Sequence, residues 1–332
     1  MEVQVAKSAG FCFGVKRAVQ MVYDEAEKNP GRVYTMGPSI RNEQVVEDLA
    51  RKGVRIIGDD LIVVDEKPLE VEDEALKAAA GLGRDSSFCI EKGQMPPSGS
   101  VIIVRSHGIS RQMTEKLSES GYQIVTATCP FVQKIHDIVA EKSREGYGII
   151  IIGNPNHPEV EGIRGWVDGP CAVVESEEDV RRLAEAYEET KKCAANASRE
   201  HLPIDMPVWV VSQTTFHHDN FHKIVAIIRR MCYDAKVTNT ICNATRERQM
   251  ESMELAAKSD VMIVIGGKNS SNTQKLYDIC RSQCGNTYYI QKLEDLFTVR
   301  FQSDCCVGIT AGASTPNTII QEVCNHVRRA EL

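Results

Sequence analysis

Three of the twelve cysteines stand in one repeated setting. Cys129 lies in Thr126-Ala127-Thr128-Cys129-Pro130, after the extended run Gln123 to Val125 and before a helix-like segment reaching about Ser143. Cys12 follows Val3-Gln4-Val5 and Ser8-Ala9-Gly10-Phe11, and Lys16 and Arg17 open an amphipathic segment after it. Cys242 follows Lys236-Val237 and Thr240-Ile241 and precedes Arg246 and Arg248. Each thiol therefore falls on a strand-to-helix elbow. A helix N-terminus favours negative charge, so a thiolate forms there more easily and binds metal better. Pro130 suits a first helical position. Three thiolates suit an iron-sulfur cluster with one iron lacking a protein thiolate, since fully ligated clusters use four. A closed zinc site also wants four ligands and would need a histidine such as His107 or His157. Three unlinked buried cysteines would leave the common elbow without a cause.

The remaining reactive residues fall at matching distances. Each of these cysteines is followed by an apolar run ending in glycine, from Cys12 to Gly37 (25 residues), Cys129 to Gly153 (24) and Cys242 to Gly266 (24). A polar loop follows each glycine. Four residues on stand Arg41, His157 and Ser270, and six residues on stand Glu43, Glu159 and Asn272. Each unit then carries a second apolar run and polar loop: Val101 to Val104 into Arg105-Ser106-His107-Gly108, Val208 to Val211 into Ser212-Gln213-Thr214-Thr215, and Cys305 to Ile309 into Thr310-Ala311-Gly312-Ala313-Ser314. Arg41, His107, Ser270, Ser271, Asn272 and Ser314 offer guanidinium, imidazolium, hydroxyl and amide donors, and helices opening at such loops add backbone N–H groups, so a phosphorylated or diphosphorylated substrate fits. Taken singly, each Ser or Asn is also an ordinary helix cap; the shared repeat position is what lends them function. His157 and Glu159, in His-Pro-Glu-Val-Glu, can shuttle protons to a substrate beside a metal. Glu161 either joins that network or faces water.

Such self-similarity needs one architectural cause. Short apolar runs alternating with helices predict an α/β protein of three pseudo-repeated lobes, each with a small parallel sheet, around a central iron-sulfur site. Ligands of parallel sheets sit beyond the carboxyl ends of the strands, and every elbow and polar loop named above follows a strand. The expected divisions are 13–128 for the first lobe, 129–241 for the second, and 242–332 for the third, completed by an N-terminal strand within 1–12. From the glycine turn to the second polar loop the three units span 69, 59 and 44 residues (Gly37 to Ser106, Gly153 to Ser212, Gly266 to Thr310). The first excess reads as an insertion over about 59–100, and the second as a surface excursion around Glu188 to Pro207.

Hydrophobic content of 42% with 26% charged residues is ordinary for a globular chain, and a net charge of −7 argues against a nucleic-acid partner. No stretch approaches the roughly 20 apolar residues of a membrane span. Met1-Glu2-Val3-Gln4 lacks the basic start and apolar run of a signal peptide, which leads to the expectation of a cytoplasmic protein with reduced cysteines. The other nine cysteines then read as packing: Cys171, Cys305 and Cys306 in strand-like runs, Cys193, Cys232, Cys280, Cys284 and Cys324 on or beside helices, and Cys89 in the insertion. Cys280 and Cys284 share a helical turn but have no further ligands nearby in sequence.

Several motifs together resemble one family. They are Gly10-Phe11-Cys12-Phe13-Gly14-Val15-Lys16-Arg17-Ala18, Ser106-His107-Gly108, Ala127-Thr128-Cys129-Pro130, His157-Pro158-Glu159-Val160-Glu161-Gly162, Ser212-Gln213-Thr214-Thr215, Thr240-Ile241-Cys242-Asn243-Ala244-Thr245, Lys268-Asn269-Ser270-Ser271-Asn272 and Thr310-Ala311-Gly312-Ala313-Ser314. The chain resembles the 4-hydroxy-3-methylbut-2-enyl diphosphate reductase (IspH or LytB) family over essentially its whole length outside the two insertions. The resemblance implies a 4Fe-4S cluster held by Cys12, Cys129 and Cys242, whose unique iron binds the allylic hydroxyl of the substrate. It implies reductive removal of that hydroxyl as water, giving isopentenyl and dimethylallyl diphosphate in the last step of the methylerythritol phosphate isoprenoid route. Electrons would come from a ferredoxin- or flavodoxin-type donor. By the same resemblance Glu159 delivers protons, Thr214 and His157 order the hydroxyl side, and His107, Ser270, Ser271, Asn272 and Ser314 hold the diphosphate. One position departs: the family has histidine where this chain has Arg41. Arginine is always charged and binds phosphate in a bidentate manner, so anion binding survives while the pocket is reshaped. Two alternatives follow, a divergent paralogue acting on another diphosphate and a non-catalytic iron-sulfur or zinc sensor; a sensor has no need of Glu159 or Ser314.

Overall fold

The computed structural model describes residues 2–37, 42–57, 96–192, 206–231, 234–297, 299, 301–302 and 304–329. Arg41, Cys89, Cys193, Cys232 and residues 59–95 of the expected insertion lie outside the described residues. The first part of the chain contains β1 (Glu2–Val5), α1 (Phe13–Lys28), β2 (Val33–Met36), α2 (Glu43–Arg51), β3 (Arg55–Ile57), β4 (Val101–Val104), α3 (Arg111–Glu119) and β5 (Gln123–Thr126). There follow α4 (Pro130–Arg144), β6 (Gly148–Ile152), α5 (Pro158–Arg164), β7 (Cys171–Val174), α6 (Glu177–Lys192), β8 (Val208–Ser212), α7 (His218–Met231) and β9 (Ala235–Val237). The last part holds α8 (Asn243–Ala256), β10 (Val261–Ile265), α9 (Ser271–Gln283), β11 (Thr287–Ile290), β12 (Cys306–Ala311) and α10 (Asn317–Arg329).

The strands form three four-stranded sheets, ordered β3-β2-β4-β5, β7-β6-β8-β9 and β1-β12-β10-β11. All pairings are parallel. The three-lobed α/β expectation is borne out. If β1 is counted as the fourth strand of the last sheet, all three sheets have one order: second, first, third, fourth. In that order the connections leave the first and third strands in opposite directions, so a crevice opens between their carboxyl ends, where ligands of open parallel sheets bind. Loops after β4, β6 and β8, and β10 and β12 flank these crevices, and the fourth strands β5, β9 and β1 lead to the three cysteine elbows. Strand β3 has no counterpart among the strands expected from the sequence: it is three residues long, too short for its apolar pattern to stand out from the adjoining Gly53-Val54 turn. Strand β12 runs to Ala311, because its pairing with β10 continues to Ile265.

By its contacts the chain divides into two compact units, Met1–Ser106 with Lys116–Ala127 and Asn243–Leu332, and His107–Glu115 with Thr128–Cys242. In the second unit the unbroken Ile149-Ile150-Ile151-Ile152 run is buried on both sheet faces, as central parallel strands are. Ile150 and Ile152 meet Phe221, Ile224 and Ile228 of α7, while Ile149 and Ile151 meet Ile135 and Val139 of α4 and Val160 and Ile163 of α5. Among the described residues no helix is long and apolar enough to cross a membrane.

His136 of α4 is 1% exposed and its ring stacks on Trp166, centroids 5.3 Å apart. Burial pushes the imidazole down from 6.5 to about 4, against a smaller upward pull from Asp137. Between those values the unfolded chain binds more protons than the folded one, so stability falls as pH drops through the window from 6.5 to about 4. At about 1.4 kcal/mol per pH unit, roughly 3 kcal/mol is lost across it. Denaturant unfolding of the parent and His136→Asn at pH 7 and 4.5 should show a steeper acid loss in the parent; equal losses would remove His136 as the cause.

Candidate active site

In the second unit the catalytic candidates are joined by short hydrogen bonds. The loop after β6 ends at His157, the N-cap of α5, with Pro158 in the first turn. His157 Nδ1 accepts from the Glu159 N–H at 3.2 Å. A histidine cap is unusual beside Ser, Thr, Asp or Asn, and in the neutral ring it leaves the proton on Nε2. Glu159 is 1% exposed and faces the loop after β8. The Thr214 N–H donates to Glu159 Oε1 at 2.6 Å, and Thr214 Oγ1 donates to Oε2 at 2.8 Å. The contact joins the loops after the first and third strands of this sheet, across its crevice.

Thr214 also ties the carboxylate to a cysteine elbow. Its carbonyl accepts from the Cys242 N–H at 3.1 Å. Close by in both segments, Thr240 Oγ1 donates to the Ser212 carbonyl at 2.5 Å and accepts from the Ser212 N–H at 2.7 Å. The Cys242 elbow is thereby locked to the end of β8. Cys129 is the N-cap of α4 and its side chain makes no cap bond. His107 belongs to this unit, its ring edge-on to that of His157 with centroids 5.4 Å apart.

The first unit carries the third thiol and the residues expected to bind an anion. Cys12 is the N-cap of α1, again with no side-chain cap bond, and its N–H donates to the Ala313 carbonyl at 3.3 Å, beside Ser314. Ser270 is the N-cap of α9, accepting from the Thr273 N–H at 3.3 Å and Oγ1 at 2.9 Å. Ser271 opens that helix, half-buried, and Ser314 is buried. Asn272 Nδ2 is buried with no hydrogen-bond partner among the described residues. Leaving such a donor unsatisfied costs about 1–3 kcal/mol, which an anion oxygen placed against it would recover.

Cys12, Cys129 and Cys242 are half-buried, and no disulfide joins them to another described residue. Among the described residues no three His, Cys, Asp or Glu side chains are assembled by themselves as a metal site. The thiols nevertheless form a chemically uniform donor set, each just before or at the start of a helix. Burial pushes the Cys280 and Cys171 thiols up to about 12, which disfavours their thiolates.

Sequence reasoning missed three residues that organise these loops. Arg248 is 3% exposed and Nη1 donates to the Gly10 carbonyl at 2.8 Å and the Ala311 carbonyl at 2.7 Å, joining the Cys12 elbow to the Ser314 loop. Gln213 Oε1 accepts from the Asn154 N–H at 3.1 Å and its amide donates to Thr215 Oγ1 at 2.9 Å. Thr273 Oγ1 fills the space where a Gly312 side chain would stand. None of the three carries a signal in the sequence: the buried face around Arg248 is Thr245, Gln249, Ser252 and Ala256, mostly polar, and the other two stand beside residues that already have a role of their own.

A family model described as LytB protein matches residues 3–328. A 4-hydroxy-3-methylbut-2-enyl diphosphate reductase of Caldanaerobacter subterraneus is 39% identical over 99% of this chain and 97% of its own length. That of Aquifex aeolicus is 36% identical over 99% and 96%. A solved structure of (E)-4-hydroxy-3-methyl-but-2-enyl diphosphate reductase, described as the terminal enzyme of the non-mevalonate pathway, aligns with a TM-score of 0.61 at 35% identity, covering 99% of this chain and all of that one. The Plasmodium falciparum E-1-hydroxy-2-methyl-but-2-enyl-4-diphosphate reductase aligns with a TM-score of 0.76 at 25% identity, covering 98% of this chain and 87% of that one. With a family model spanning nearly every residue and full-length relatives well above 30% identity, this chain belongs to the LytB family.

Proposed function

We propose that the chain is a 4-hydroxy-3-methylbut-2-enyl diphosphate reductase, removing the allylic hydroxyl of its substrate as water and releasing isopentenyl and dimethylallyl diphosphate. The observation that carries this reading is the buried Glu159 carboxyl held by both donors of Thr214, whose carbonyl in turn holds the Cys242 elbow. Cys12, Cys129 and Cys242 would hold a 4Fe-4S cluster, which supplies electrons and a Lewis-acidic iron when bound. A C–O bond breaks, a C–H bond forms, and with two electrons and two protons the hydroxyl oxygen leaves as water. Electrons come from a ferredoxin- or flavodoxin-type donor.

Glu159 is the proton carrier of the site. Thr214 Oγ1, now donating to Glu159 Oε2, can turn that hydroxyl toward a substrate oxygen, since it both donates and accepts. His157 Nε2–H supplies a donor beside them. The diphosphate would be held by Ser270, Ser271, Asn272, Ser314, His107 and Arg41, and the Asn272 amide, which has no hydrogen-bond partner among the described residues, is the donor readied for it. The lobes are proposed to run 13–128, 129–241 and 242–332 with 1–12, and the protein to work in the cytoplasm.

Anaerobic purification, iron and sulfide analysis and a turnover assay with the diphosphate test the reading; a chain that binds iron and sulfide but does not consume the substrate would contradict it. Arg41 gives a second test. A charge-assisted phosphate contact is worth about 1.5–3 kcal/mol, or roughly 10- to 150-fold in affinity. Arg41→Ala should weaken substrate binding by that factor and Arg41→His should recover much of it. Calorimetry at fixed ionic strength decides: an alanine variant that binds like the parent puts Arg41 outside the site.

A further inference from the structure

Residues 107–111 follow a strand of the first sheet but pack within the second unit. Trp166 is the residue they pack on. Its indole Nε1–H donates to the Ile109 carbonyl at 2.8 Å, and its own carbonyl accepts from Arg111 Nη2 at 3.0 Å. The Arg111 guanidinium lies 5.4 Å from the indole centroid and pairs with Asp168 at 2.6 Å. The Arg111 N–H donates to the Gly165 carbonyl at 3.3 Å.

His136, stacked on the indole, fills the other side of the loop. Its Cε1 stands 2.5 Å from where a Cβ on Gly108 would be, and Gly108 has φ +73°, so glycine is required there on both counts. A Cβ on Gly165 would likewise run into Ser110, 2.8 Å from its Cα. These contacts converge on the backbone immediately after His107. An aliphatic residue would fill the volume of the indole without its N–H; the hydrogen bond to Ile109 is what this tryptophan adds.

We propose that Trp166 is the positioning residue for His107: through its N–H to Ile109 and its stack with His136 it holds the 107–111 segment where His107 can meet the substrate diphosphate. The inference rests on the reading of His107 as a diphosphate donor given above. Trp166→Phe keeps a ring against His136 and deletes the N–H. The KM for the diphosphate substrate and the Kd for inorganic diphosphate should both rise roughly tenfold, the low end of losing a charge-assisted contact. Saturating kcat, bound iron and melting temperature should stay near the parent's.

The His107→Ala background separates positioning from general support. If Trp166 acts through His107, adding Trp166→Phe there changes neither constant further. An equal penalty in both backgrounds, or unchanged KM and Kd in the single variant, overturns the proposal. Weakened inorganic diphosphate binding in a chain whose parent form does not consume the substrate would sustain the positioning role and defeat the reductase reading. Should Trp166→Phe fail to unfold cooperatively, Gly165→Ala carries the test: its Cβ would stand 2.8 Å from the Ser110 Cα, so the segment must shift and the same two constants should rise. Unchanged constants in that variant also overturn the proposal.

Discussion

Glu159→Gln should fold, retain iron and bind substrate like the parent, and turn over about 100- to 10,000-fold more slowly, the range general acid-base groups contribute. The geometry makes the substitution clean. The amide oxygen still accepts from the Thr214 N–H, where Glu159 Oε1 does now at 2.6 Å. The amide nitrogen then faces Thr214 Oγ1, and a hydroxyl can reverse from donor to acceptor. Two hydrogen bonds survive around a buried side chain, so neither the Thr214 carbonyl nor the Cys242 N–H that it holds need move. What is lost is the capacity to give up and regain a proton at this position. Anaerobic steady-state turnover with parallel affinity and iron measurements reads it, and turnover within a few-fold of the parent would move proton delivery to another group.

Much of this arrangement is legible in the order of residues along the chain. The three elbows announce themselves because a strand, a thiol and a helix start recur in that order, and in the fold Cys12 and Cys129 are N-caps while Cys242 stands one residue before α8. The buried strands are readable for a related reason: central parallel strands must be apolar on both faces, so Ile149 to Ile152 and Val261 to Ile265 appear as unbroken runs. The second-first-third-fourth strand order is not readable, since apolar runs carry no record of their neighbours. In the second sheet that order sets the loops after the first and third strands side by side, as the Glu159 to Thr214 contact shows. Also hidden are contacts in which one side chain secures another segment's backbone. Arg248 bonds to Gly10 across 238 residues of chain and Trp166 to Ile109 across 57, and no local pattern marks either pairing.

The cysteines should separate into two classes when replaced by serine one at a time. Cys12→Ser, Cys129→Ser and Cys242→Ser should each lose most of the bound iron and sulfide, and with them activity, because iron-sulfur clusters are held by thiolates and these three thiols share a helix start, whose N-terminal field favours the anion. Cys280→Ser should keep its iron. Burial pushes that thiol up to about 12 and its Sγ already points at the Ser252 carbonyl at 3.8 Å, a bond that a serine hydroxyl can take over. Cys284 packs in the same apolar cluster as Cys280, so its loss should cost stability before it costs iron. Cys89, outside the described residues, should also be dispensable, because the repeat places one thiol after the fourth strand of each sheet and it belongs to none of the three elbows. Iron and sulfide analysis of the anaerobically purified variants, with melting temperatures as the folding control, sorts the set. Full iron in any elbow variant would break the three-thiol assignment, while iron lost from a well-folded Cys89→Ser would give the insertion a ligand and fill the coordination position that the substrate hydroxyl is proposed to occupy.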